Sequence, residues 1–95
     1  MIKKTVKLNL ALGLHARPSS HIVSKIGPLK LDKAIMNYNG KTADLRSILS
    51  VLSLFILTGE DVEVILSGPD EETALKVIED VFNEKDNESI YNKGP

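Results

Sequence analysis

The sequence predicts an α+β fold, a four-stranded antiparallel sheet covered on one face by three helices. Three observations carry this. Segments with apolar residues at every second position and segments with helical spacing follow one another as strand, helix, strand, strand, helix, strand, helix. The alternation is one-sided, so the strands have one buried and one wet face, the pattern of an antiparallel sheet. Ninety-five residues are enough for one small domain and too few for two.

Each element has its local reason. In "TVKLNLAL" (5–12), Val6, Leu8, Leu10 and Leu12 point one way and Thr5, Lys7 and Asn9 the other, which reads as a strand ended by Gly13. Lys3 joins the wet face. "RPSSHIVSKI" (17–26) reads as a helix with Pro18 in its first turn, where a missing N–H costs little. Ile22, Val23 and Ile26 share a face, and Gly27-Pro28 is a stop signal. "KAIMNYNGKTA" (33–43) is a hairpin whose Asn39-Gly40 suits the positive φ angles of a type I′ turn. "DLRSILSVLSLFIL" (44–57) reads as a second helix with Asp44 or Ser47 near its start. "DVEVILS" (61–67) is a strand and "PDEETALKVIEDVF" (69–82) a helix. Asp70, Glu71 and Glu72 complement the dipole there, and Ala74, Leu75, Ile78, Val81 and Phe82 form its buried stripe. The domain is expected over residues 1–84, with 85–95 a polar, frayed tail.

Composition narrows the function classes. The chain has no cysteine, which excludes disulfides and thiolate chemistry and fits a reducing compartment. "ILSVLSLFIL" (48–57) is too short to span a bilayer, and the alternating N-terminus is not a signal peptide. A soluble cytoplasmic protein is expected. Residues 1–59 carry nine Lys/Arg against two acids, whereas residues 60–95 carry three Lys against eleven acids. A basic half of this kind steers an acidic partner, or simply packs against the acidic one. Nucleic acid is not expected, because the basic residues are scattered without interleaved aromatics.

"GLHARPSS" (13–20) is the segment with chemistry in it. It places His15 at the mouth of a helix, where the first N–H groups lack internal partners and form an anion site. The positive helix end disfavours an imidazolium. Arg17 offers a planar fork of donors to phosphate oxygens. Together these suit transient acceptance of a phosphoryl group, although on spacing alone His15 also fits a cap or surface residue. His21 lies six residues on, which is no metal-binding spacing on a helix, and a surface role is expected for it. No Ser–His–acid order is visible.

The same segment resembles the Gly-Ile/Leu-His-Ala-Arg-Pro motif of the HPr family, the histidine phosphocarriers of the bacterial phosphoenolpyruvate:sugar phosphotransferase system. "YNGKTADLRSILSVLSL" (38–54) is similar to the family's hairpin and short second helix, and "GEDVEVILSGPDEETAL" (59–75) to its last strand and final helix. The resemblance implies an open-faced β-sandwich of βαββαβα order. It implies that His15 is phosphorylated at Nδ1, that Arg17 steadies the phosphoryl group, and that the N–H groups of Ala16 and Arg17 cap its oxygens. It implies Enzyme I as donor and IIA components of sugar permeases as acceptors, with no cofactor or metal and with the protein a monomer. Ser47 matches the serine that, in some relatives, an ATP-dependent HPr kinase/phosphorylase modifies.

The second helix has almost no polar face. The resemblance assigns Ile48, Leu49, Leu52 and Phe55 to partner docking, and Val51, Leu54 and Ile56 to the core, with Arg17, Lys25 and Arg46 ringing the patch. Phe55 stands where typical members have Gly, and a benzyl group there either shields His15 or enlarges the apolar patch. Leu49 and Ser50 replace the Met-Gly of the Gram-positive pattern. A second reading is therefore an HPr-like regulatory protein, signalling through His15 or Ser47 to a transcription regulator or enzyme.

Overall fold

A computed structural model describes residues 1–84; the tail expected over 85–95 lies outside the described residues. The elements are β1 (Ile2–Lys7), α1 (Ala16–Ile26), β2 (Lys33–Tyr38), β3 (Lys41–Asp44), α2 (Ile48–Leu52), β4 (Asp61–Ser67) and α3 (Glu71–Phe82). The four strands form one antiparallel sheet in the order β1-β4-β2-β3. The expected element order and fold class hold.

Register explains the core. Val6 faces Val62, Met36 faces Val64, and Ala34 faces Leu66. These side chains leave the same face of the sheet and are buried under the helices with Ile22, Ile26, Ile78 and Phe82. Burying each large one contributes roughly 1.5–3 kcal/mol. Lys4 has the same parity as Val6, but β1 is an edge strand, so its chain reaches past the rim to Glu79 of α3 at 2.7 Å. The open face is polar: Lys3 and Lys7 pair with Glu63 and Asp61, and Asn37 donates to Glu63 while accepting from Thr42. Exposed ion pairs are worth about 0–1 kcal/mol each, so the apolar face dominates stability.

The first strand is shorter and earlier than its pattern predicts. Pairing ends at Lys7, because β4 begins at Asp61 and its lead-in turns at Gly59, whose φ is +84°. Leu8 still bonds to both Glu60 and Gly59, so Leu8 and Leu10 remain buried beyond the strand. Leu12, expected to be inward, is 72% exposed. Asn9, expected on the wet face of the sheet, instead binds the end of α3 through Phe82 and Asn83.

The second helix is also shorter than its apolar run predicts, five residues in place of the fourteen of 44–57. Ser47 is its N-cap; Asp44 belongs to β3. Leu54 and Phe55 donate to the carbonyls three residues back, tightening the exit, and Phe55 then takes a left-handed φ of +52°. The remaining apolar residues of the run form a loop, not helix. The hairpin turn is as predicted, with Asn39 and Gly40 at φ +52° and +79°. α1 begins at Ala16, one residue before its expected start, and α3 begins at Glu71, after Pro69. Gly27 ends α1 in a right-handed conformation, with its N–H on Val23.

Candidate functional site

The loop from Leu10 to His15 sets the site. Gly13 donates to Leu10, and His15 donates to Gly13 at 3.1 Å, closing a three-residue turn about Leu14. Leu14 is buried, and its N–H bonds to the carbonyl of Ile56 at 3.0 Å. Gly13 takes a φ of +75°, and a Cβ there would lie 2.8 Å from that same carbonyl. Glycine is therefore required twice over, for its conformation and for the close approach. The sequence shows Gly13 ending a strand, but the neighbour it must clear is forty-three residues away, so this second role has no local signal.

His15 is the N-cap of α1, with extended backbone, and its side chain makes no capping hydrogen bond. His15 is therefore a cap by its backbone alone, its carbonyl accepting from Ser19 N–H at 3.1 Å. His15 is half-buried, while Leu14 and Pro18 are buried. No acidic residue lies in the first turn of α1. Ala16 and Arg17, both exposed, carry backbone N–H groups that precede the helix's own ladder, and Pro18 has none. The helix end thus presents donors and a positive dipole beside an imidazole.

The remaining expected site residues divide. Val51, Leu54 and Ile56 are core. Leu49 is 80% exposed, Ile48 is exposed less fully, and Leu52 is half-buried. Leu52, Phe55 and His15 line one cleft. Phe55 is 76% exposed, so it enlarges the apolar surface. Ser47 is half-buried at the far end of α2, its hydroxyl accepting from Ser50 N–H at 3.2 Å. Arg46 donates to Leu31 carbonyl and lies 3.9 Å from Asp44, which ties its guanidinium to the β3 side of α2. His21, on α1, sits 3.4 Å from Glu84 and takes no part in the cleft. Among the described residues no group of three metal-ligating side chains occurs, and no helix is long and apolar enough to cross a membrane.

Known proteins share this sequence pattern and fold. The family model of the PTS HPr component phosphorylation site matches residues 2–84. The chain is 32% identical over 82 residues to the phosphocarrier protein NPr of Escherichia coli K12, covering 86% of this chain and 91% of that protein. The crystal structure of phosphocarrier protein HPr from Bacillus anthracis superposes with a TM-score of 0.78 at 30% identity, over 84% of this chain and 94% of that one. The solution structure of Crh, the Bacillus subtilis catabolite repression HPr, matches with a TM-score of 0.63 at 30% identity, over 88% of this chain and 99% of that one. On this fold, with the family match over residues 2–84 and these relatives, the chain belongs to the HPr phosphocarriers of the phosphotransferase system.

Proposed function

We propose that this protein accepts a phosphoryl group from phospho-Enzyme I on Nδ1 of His15 and passes it to IIA components of sugar permeases, acting as a cytoplasmic monomer. The observation that carries this reading is the position of His15: N-cap by backbone, uncommitted by side chain, at the donor-rich end of α1. In the transfer, the Nδ1 lone pair attacks phosphorus in line. The bond from phosphorus to the donor breaks, and its electron pair leaves with the donor. In this proposal the amides of Ala16 and Arg17 and the Arg17 guanidinium hold the three equatorial oxygens. Release to the acceptor is the same displacement in reverse. The protein contributes positioning and charge, and does not complete turnover alone.

The likeness to Crh, described as a catabolite repression HPr, favours a second reading: a regulatory protein using the phosphorylation of His15 or Ser47, with little sugar flux. One experiment separates the two. The protein is incubated with Enzyme I and labelled phosphoenolpyruvate, and then with a IIA domain. Acid-labile label on His15 that moves to IIA supports carriage. Label that enters and cannot leave supports the regulatory reading. The His15→Ala variant folds and takes no label; label surviving in it moves the site elsewhere.

A further inference from the structure

Among the described residues one buried polar side chain has no hydrogen-bond partner, the hydroxyl of Ser19. Its place in α1 sharpens this. With His15 as N-cap, Ser19 is the fourth helical residue, and Leu14 stands just before the cap. Those two positions are where an apolar pair commonly staples a helix start. Leu14 is buried and apolar, but Ser19 brings a hydroxyl to the other position. Packing does not account for that hydroxyl, since alanine would fill the place without an unmet polar group. Unmet polar groups inside a fold mark strained or functional positions.

The chemistry next to it on the helix is His15. The Ser19 N–H donates to the His15 carbonyl at 3.1 Å, which fixes the two residues one turn apart. Cα–Cβ bonds in a helix tilt toward its N-terminus, so the Ser19 side chain leans toward the turn that His15 opens. A helical serine often turns its hydroxyl back on the carbonyl four residues earlier, but the Ser19 hydroxyl does not make that bond. The His15 imidazole makes no capping bond either. A ring free of capping and a hydroxyl without a partner thus lie one turn apart.

Resting on the reading of His15 as the exchange site, we propose that Ser19 is a positioning residue: its hydroxyl accepts a hydrogen bond from Nε2–H of His15 when the ring turns Nδ1 to the incoming phosphorus. A neutral imidazole carries one N–H and one lone pair, and the partner of one nitrogen sets which tautomer is present. With Nε2–H held, the lone pair is on Nδ1. In the step that lone pair forms the N–P bond, the bond from phosphorus to the donor breaks, and its electron pair leaves with the donor. The Nε2 proton stays in place. Positive charge develops on the ring and strengthens its bond to Ser19. The interaction is therefore greater during exchange than at rest, so it raises the rate of the step and not the affinity for the donor.

The test is single-turnover transfer of label from phospho-Enzyme I to the full-length protein, followed against protein concentration. Ser19→Ala should lower the rate at saturation about fivefold, the size of one lost hydrogen bond, and leave the half-saturating concentration unchanged. Ser19→Thr retains the hydroxyl and should recover the rate; where its added methyl disturbs the core, a second measurement decides. In the phosphorylated wild-type protein the Nε2-bound proton of His15 should give an NMR resonance that exchanges slowly with water, and in phosphorylated Ser19→Ala it should exchange faster. A wild-type rate in Ser19→Ala, or an Nε2 proton that exchanges equally fast in both proteins, overturns the pairing while leaving His15 as the exchange site. Wild-type protein that takes no label overturns both.

Discussion

The N–H of Leu14 donates to the carbonyl of Ile56 at 3.0 Å, and Gly13 lies against that same carbonyl closely enough to leave no room for a Cβ. The loop that presents His15 is thereby fastened to the segment leaving α2. Gly13→Ala should lower stability by about 2 kcal/mol, from the left-handed conformation and the 2.8 Å clash combined. Label uptake should fall as well, because the loop must shift away from Ile56. Gly40→Ala is the control: its φ is +79°, but a Cβ there meets nothing within 4 Å, so its cost should be about 1 kcal/mol and label uptake should hold. Denaturant midpoints and uptake rates check both. Equal costs at the two positions would mean that the close approach to Ile56 is easily relieved.

That close approach also marks where sequence reading stops. The strand–helix order, the Asn39-Gly40 turn and the His15 motif were legible because each rests on neighbours in the chain. The end of β1 was not. Leu8, Leu10 and Leu12 keep the strand period after their partner strand has turned away at Gly59, and period alone does not report pairing. Residues 54–57 continue an apolar run that reads as helix, yet Phe55 turns left-handed and Phe55, Ile56 and Leu57 become one wall of the cleft. Its family glycine pattern hinted at the conformation; the consequence for the cleft needed three dimensions.

Ser47 has a structural role that is separable from any regulatory one. Its hydroxyl caps α2 by accepting from Ser50 N–H. Ser47→Ala should cost about 1 kcal/mol. Ser47→Asp retains a capping oxygen and should keep wild-type stability. Ser47 stands five residues before Leu52, roughly 7–8 Å along a helix axis, so a charge there is near one Debye length from the His15 cleft. Its effect should therefore fall on a partner that spans both, and Ser47→Asp should slow transfer from Enzyme I most at low salt. A rate that matches wild type at all salt concentrations removes Ser47 as an electrostatic switch.

Ser19 carries a different kind of cost. It is fully buried in α1, and its hydroxyl has no hydrogen-bond partner among the described residues. An unmet buried hydroxyl costs about 1–3 kcal/mol, and alanine is also the better helix former. Ser19→Ala should raise stability by about 1 kcal/mol, read as a higher urea midpoint at unchanged slope. A lower midpoint would show that the hydroxyl is satisfied in solution.

Tyr38, at the end of β2, donates to the carboxylate of Glu60 at 3.0 Å. Its phenol is pushed above its ordinary value, first by partial removal from water, then by the hydrogen bond to Glu60 and by that residue's negative charge. All three disfavour phenolate. The folded protein therefore holds this proton more tightly than the unfolded chain does. The stabilisation is fully present below the unfolded value of about 10 and is lost as pH rises through the folded one. Phenolate absorbance of a Tyr91→Phe background, which leaves Tyr38 as its one tyrosine, should give a midpoint above the ordinary value. Glu60→Gln keeps an acceptor but removes the charge, and should move that midpoint down. The stability advantage of the wild type over Glu60→Gln should shrink as Tyr38 ionises, because the phenolate is repelled by Glu60 and not by Gln. A midpoint that ignores Glu60→Gln would assign the shift to desolvation alone.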